Sequence, residues 1–141
     1  MAEIAEEIAR AAESAVSLCR TMTGELDYSE GSLAVVEEFL AEAAGFVTEL
    51  DSDQVVGLIQ DFGCYILEVG RREFGGVYQW HGDRDQPVLV VGAPAFRVAM
   101  LAWDKVRGRL GGDKGDNIPF FYAGFAERAR LAEPGTDALY V

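Results

Sequence analysis

The chain of 141 residues carries a formal charge of −12, from 24 acidic and 12 basic side chains, and 50% of its residues are hydrophobic. That composition excludes disordered, collagen-like and low-complexity classes, and a chain of this length buries roughly 70% of its extended surface as one domain without metal or disulfide staples. The charge argues against nucleic acid as a partner, because binding to a phosphate backbone depends on Lys and Arg replacing counterions.

No run of residues approaches the roughly 20 apolar positions of a membrane span. The opening MAEIAEEIARAAESA is acidic, where a secretory signal is basic and then apolar. The expectation is a cytoplasmic protein without membrane contact. Ten Arg against two Lys in a chain rich in Ala, Gly and Val is the usage of a GC-rich bacterial genome, and the acidity is partly that background.

From Ala2 to Met22 the apolar residues Ile4, Ile8, Ala11, Ala15, Leu18 and Met22 recur at intervals of three and four, one stripe of an amphipathic helix with an acidic opposite face. The segment GELDYSEGS has turn chemistry. Ser29 or Ser32 then caps a second helix with the stripe Leu33, Val36, Phe39, Leu40, Ala43 and Val47, ending between Gly45 and Leu50. A third helix begins at Ser52, carries Val55, Val56, Ile59, Phe62, Ile66 and Val69, and runs to about Phe74, where Gly75 and Gly76 supply the stop. Gly63 and Gly70 lie seven apart on one face of it, which predicts close packing there. Cys19 and Cys64 fall within apolar helical patterns without CxxC spacing and read as core thiols rather than a disulfide or metal pair.

After the two glycines the period changes from 3.6 to 2. VYQWHG alternates, HGDRDQ is a turn and PVLVV is a run of β-formers, so a β-hairpin is predicted over residues 77–91. Phe96, Ala99, Met100, Trp103, Val106, Arg107 and Leu110 predict a fourth helix ending at Gly111 and Gly112, and residues 118–130 a fifth with Phe121, Tyr122 and Phe125 inward. The tail ALYV offers a third strand. Helices, a hairpin and helices again is an α+β order: a single α+β domain of about five helices with a small antiparallel sheet.

LDYSEGSLAVVEEFL, GCYILEVGRREFGGVYQW, the strand PVLVV and FRVAMLAWDKVRGRL together resemble a family of small uncharacterised bacterial proteins, a domain of unknown function. In that family LDYS, GxYxxEVxRR followed by GG and an aromatic strand, and KVRxRL recur. The likeness covers residues 26–122 and leaves the first helix and the tail outside it. It implies a compact α+β domain and assigns no catalytic residue.

Glu68 stands inside the apolar run CYILEV with Arg71 and Arg72 after it. One reading is an i,i+4 ion pair with Arg72 on the helix surface. The other has Glu68, Tyr65 and Arg71 or Arg72 facing a groove as a polar anchor for a ligand or partner. His81 follows Trp80 and precedes Asp83 and Asp85; such a set can bind a divalent metal, but it also reads as a solvated hairpin turn, and one histidine without a nearby cysteine cannot build the usual zinc site. GGDKGDN lacks the Ser or Thr and the strand-to-helix order of a phosphate loop, and no serine sits in a GxSxG elbow.

With no nucleophile and base, metal cluster or nucleotide loop remaining, the sequence predicts a non-catalytic acidic module without cofactor, metal or nucleic acid. It binds another protein, one of basic surface, as a monomer or a weak homodimer, with Tyr65, Glu68, Arg71, Arg72, Trp80 and His81 as binding residues. The rival reading is a small ligand-binding protein or enzyme that uses Glu68, Arg72 and His81.

Overall fold

Five α-helices and four strands appear in a computed structural model that describes residues 2–22 and 24–141. Helix α1 spans Ala2–Met22, α2 Leu33–Ala44, α3 Ser52–Phe74, α4 Trp103–Leu110 and α5 Ile118–Leu131; the strands are β1 Val77–His81, β2 Gln86–Val91, β3 Arg97–Met100 and β4 Asp137–Tyr140. The class is α+β, as the element order predicts.

Helix α3 is the axis of the molecule. It starts at Asp51, whose side chain accepts the Gln54 N–H at 2.8 Å while the Gln54 side chain accepts the Asp51 N–H at 3.0 Å, a reciprocal cap that satisfies two of the first-turn donors. From Phe62 to Gly70 every residue is buried. Phe62, Tyr65, Ile66 and Leu67 have no exposed surface, and each contributes about 1.5–3 kcal/mol by leaving water. The helix stops at Gly75 and Gly76, both at positive φ; a Cβ on Gly76 would stand 2.4 Å from the Val90 carbonyl oxygen, so only glycine lets β1 enter its pairing there.

Helix α1 packs along α3 through Ile8, Ala12, Ala15, Val16 and Cys19. This is the predicted apolar stripe turned slightly: small Ala12, Ala15 and Cys19 let the two helices approach, while Ile4, Ala11 and Leu18 are only half-buried and Met22 is 55% exposed. The apolar stripe of α1 is therefore wider than its seat on α3. Both cysteines are buried, as core thiols should be. In α3, Gly63 and Gly70 do pack closely, against side chains: a Cβ on Gly63 would lie 2.3 Å from Trp103, and one on Gly70 would lie 2.9 Å from Leu89 and 3.1 Å from Met100.

The hairpin of residues 77–91 forms with the register Val77↔Val90 to His81↔Gln86. Two expectations are corrected beyond it. The residues read as the start of the fourth helix, Arg97–Met100, are a strand that pairs antiparallel with β2, and α4 begins only at Trp103. Val98 and Met100 face the helices while Ala99 and Leu101 face the other side, all four buried; a strand buried on both faces loses the alternation that would reveal it, and Phe96, Ala99, Met100 and Trp103 then match helical spacing by coincidence. Secondly, the tail strand β4 pairs parallel with β3, so the sheet has order β1-β2-β3-β4 and is mixed, not antiparallel. The return through α5 brings the chain back beside β3 in the same direction, which needs a crossover connection.

Tyr78, Leu89, Val91, Val98 and Met100 join the helical core from the inner sheet face. On the outer face Val88, Val90, Ala99 and Leu101 form a cluster of their own with Val141.

Candidate functional site

The polar residues that stand out in the sequence are tied up within the fold. Glu68 is 2% exposed, not a surface residue. Arg71 donates to it from Nε at 2.8 Å and from Nη2 at 3.3 Å. Arg72 stands 3.6 Å away, and the Tyr78 hydroxyl donates to the same carboxylate. The closer arginine is thus the one at i+3 rather than the i+4 partner. Burial by itself would raise the Glu68 carboxyl, but the hydrogen bonds from Arg71 and Tyr78 and the charges of both arginines outweigh it, so the group titrates below the ordinary range. Burial and the carboxylate push the Tyr78 phenol upward. A permanently ionised, saturated carboxylate of this kind is unsuited to taking or giving protons near neutral pH.

Tyr65 does not face a groove with Glu68. It is fully buried, and its hydroxyl accepts the Tyr28 N–H at 2.8 Å and lies 2.6 Å from the Ser32 hydroxyl. The LDYS segment is built for that contact. Asp27 accepts from the Ser29 N–H and hydroxyl, an Asx turn that holds Tyr28 at φ 66°. The Tyr28 ring then lies 4.8 Å from the Tyr65 ring and under the Arg72 guanidinium at 3.5 Å. KVRxRL is internal in part: buried Arg109 pairs with Glu37 at 2.6 Å and half-buried Lys105 with Asp116, whereas Arg107 pairs with Asp104 on the surface. Glu37 also accepts the Ile118 N–H at the start of α5. These polar residues tie the segment before α2 and strand β1 to α3, and α4 to α2, a structural task.

His81 is half-buried at the end of β1, and its Nδ1 is buried without a partner. Among the described residues no three His, Cys, Asp or Glu side chains converge as a metal set, His81 with the turn acids Asp83 and Asp85 included.

The other buried polar atom without a nitrogen or oxygen partner belongs to Trp103, which lines a hollow of about 270 Å³. Its walls are Ile4, Ile8 and Ala11 of α1, Trp80 and Pro87 of the hairpin, and Trp103 of α4, with Cys64, Gln60 and Glu7 completing the lining. Ile4 and Ala11 are the part of the α1 stripe that α3 does not cover. Trp80 is 54% exposed, and its ring meets Trp103 edge-on at 6.3 Å. The Trp103 indole Nε1 is buried with no nitrogen or oxygen partner; it meets the Cys64 sulfur, a weak acceptor. Burial, set against that weak contact and reinforced by the charges of Asp61 and Glu68, pushes the Cys64 thiol up to about 12, so it stays protonated.

Asp61 lies one turn before Cys64. Burial raises its carboxyl above the ordinary range, and among the described residues it has no cation or hydrogen-bond donor. A group whose folded pKa is raised lowers stability as pH rises from its unfolded value, about 3.9, through the folded one. Asp61→Asn is therefore expected to raise Tm at pH 7, with the gain vanishing by pH 3; an unchanged or lower Tm at pH 7 would show that the carboxylate has a partner.

The charge is divided along the chain. Fourteen acidic residues stand against Arg10 and Arg20 up to Asp61, and ten against ten beyond it, so the whole −12 belongs to residues 1–61. These form α1, α2 and the first half of α3. Among the described residues Glu3, Glu6, Glu7, Glu38 and Glu42 enter no ion pair, and all but Glu7, which borders the hollow, line no hollow. The sequence offered no sign of Glu7 as a site residue or of the hollow itself, since only the seating of α1 beside Trp80 forms it.

The chain matches no family profile, no curated protein and no solved structure.

Proposed function

We propose that this protein is a non-catalytic, acidic interaction module that binds a basic surface on another protein. The observation that carries the reading is the division of charge: residues 1–61 hold the entire −12, with exposed glutamates in no ion pair among the described residues, beside a neutral remainder. A negative excess of this size steers a positively charged partner and raises its association rate. Solubility alone would be served by acids spread over the whole surface.

Two further observations support it. Glu68, the foremost candidate acid or base, is saturated by Arg71 and Tyr78. The apolar stripe of α1 is mostly spent on α3, which favours a monomer in the cytoplasm over a homodimer. No helix among the described residues is long and apolar enough to cross a membrane.

The test is affinity capture from cell lysate at about 50 and 300 mM salt, with light scattering on the purified protein. The expected result is a basic protein whose recovery falls with salt, as the Debye length shortens, and falls several-fold for the double reversal Glu38→Lys and Glu42→Lys. A monodisperse monomer that recovers no salt-sensitive basic partner at either salt would overturn the reading.

A further inference from the structure

We propose that the hollow between α1, α3, the hairpin and α4 is the seat for one aromatic or long aliphatic side chain of a basic protein segment, with Lys or Arg next to that anchor residue. The inference rests on the acidic-module reading for the class of partner and adds to it a place and a recognition chemistry.

Size decides the occupant first. Sites for cofactors and drug-sized ligands run to about 300–1,000 Å³, and this hollow has about 270 Å³, room for a single large side chain. Its walls are apolar except at Gln60 and Glu7, so the body of the guest is apolar too. Trp80 gives the entrance a rigid aromatic surface, half-exposed and braced edge-on by Trp103; tryptophans in such a position dominate interface energetics.

Two polar observations then refine the guest. The Trp103 N–H is a buried donor with only a sulfur beside it, and a donor withheld from water without an oxygen or nitrogen acceptor is costly. A backbone carbonyl or a tyrosine hydroxyl carried in with the anchor would satisfy it. The one acid of the lining, Glu7, enters no ion pair among the described residues. An acid held at the mouth of an apolar hollow without a cation is complementary to a guest that brings one, and a neutral or acidic flank would leave it unmatched.

Both tryptophans of the chain, Trp80 and Trp103, border the hollow, so intrinsic fluorescence reports its occupancy directly. The probes are capped pentapeptides Lys-Lys-X-Lys-Lys with X as Phe, Tyr, Leu or Ala, and Glu-Glu-Phe-Glu-Glu. The expected result is a saturable change in emission with Phe, Tyr and Leu, and affinity lower by on the order of tenfold or more for Ala, as burial of a large side chain requires. Binding should weaken with salt and in Glu7→Gln. Ala11→Leu fills the hollow from its α1 wall without altering charge, and it should abolish the preference for Phe over Ala while circular dichroism stays native.

Equal, salt-sensitive binding of the Phe and Ala peptides would overturn the hollow as the seat and leave the acidic-module reading standing. Equal binding of the Glu-flanked and Lys-flanked Phe peptides would overturn the basic flank and the acidic-module reading together. Absence of any saturable change up to millimolar peptide would overturn the proposal, whatever the capture experiment finds.

Discussion

Gly63→Ala is expected to destabilise the protein by about 2 kcal/mol. The added methyl would stand 2.3 Å from Trp103 Cδ1 and 3.2 Å from its Cα, and neither atom is the free end of a flexible side chain. Overpacking of this kind sits at the upper end of the usual ~1–3 kcal/mol, from which the roughly 1 kcal/mol gained in helix propensity is subtracted. For a chain of this size that is a fall in Tm of about 6–8 °C. Gly57→Ala in the same helix is the control: nothing lies within 4 Å of its added methyl, so it should gain about 0.5–1 kcal/mol. Thermal denaturation of the two variants checks both signs, and a neutral Gly63→Ala would show that α4 shifts freely on α3.

Glu68→Ala is expected to cost about 2–3 kcal/mol. It strands the Tyr78 hydroxyl in a residue only 4% exposed, worth about 1–3 kcal/mol for an unsatisfied buried group, and opens a small cavity beside it. The ~3–5 kcal/mol typical of a broken buried ion pair is not reached, because the Arg71 and Arg72 side chains are 42% and 48% exposed and turn to water. The pH dependence carries a second signature. The Glu68 carboxyl has its folded pKa lowered, so its contribution is fully present above the unfolded value of about 4.3 and is lost as pH falls through the lower folded one. Urea unfolding of wild type and Glu68→Ala should differ by a constant amount from pH 6 to 8 and converge towards pH 3. A gap that widened in acid would refute the assignment. Tyr78→Phe should cost less, about 1–2 kcal/mol, and a double-mutant cycle with Glu68→Ala should show coupling.

These two sites also mark what could be read in advance. The pairing of Gly63 and Gly70 on one helix face is a matter of spacing, and close packing followed from it. The identity of the packing partner did not, because nothing in the local sequence says that Trp103 will arrive from forty residues away. Glu68 is the clearer case. Its two nearest charges, Arg71 and Arg72, are local in sequence and were legible as partners. Its burial depends on Tyr78, placed over it by the hairpin, and on the α1 residues Ala5 and Ala9, which line the shallow hollow shared with Glu68 and Tyr78. The reading of a surface ion pair failed for that reason, as did the grouping of Tyr65 with Glu68: residues three apart are neighbours on a helix, but the Tyr65 hydroxyl is taken by Tyr28 and Ser32 of the loop before α2, while Glu68 is taken by Arg71 and by Tyr78 of β1.

By itself the sequence determined what rests on local periodicity and local chemistry. The helical positions of α1, α2, α3 and α5, the stop at Gly75 and Gly76, the hairpin and its turn, and the net charge all follow from residues a few places apart, where backbone sterics, capping and amphipathic spacing act. Tertiary structure alone decided the rest. Strand β3 exists because β2 and β4 flank it, and its apolar residues are buried on both faces, so no alternation survives in the chain to announce it. The parallel pairing of β4 depends on where α5 delivers the chain. The apolar hollow with the Trp103 N–H against the Cys64 sulfur and Glu7 at its edge is assembled from α1, α3, the hairpin and α4, segments up to about a hundred residues apart, and contact at that separation is a property of packing that no local pattern encodes.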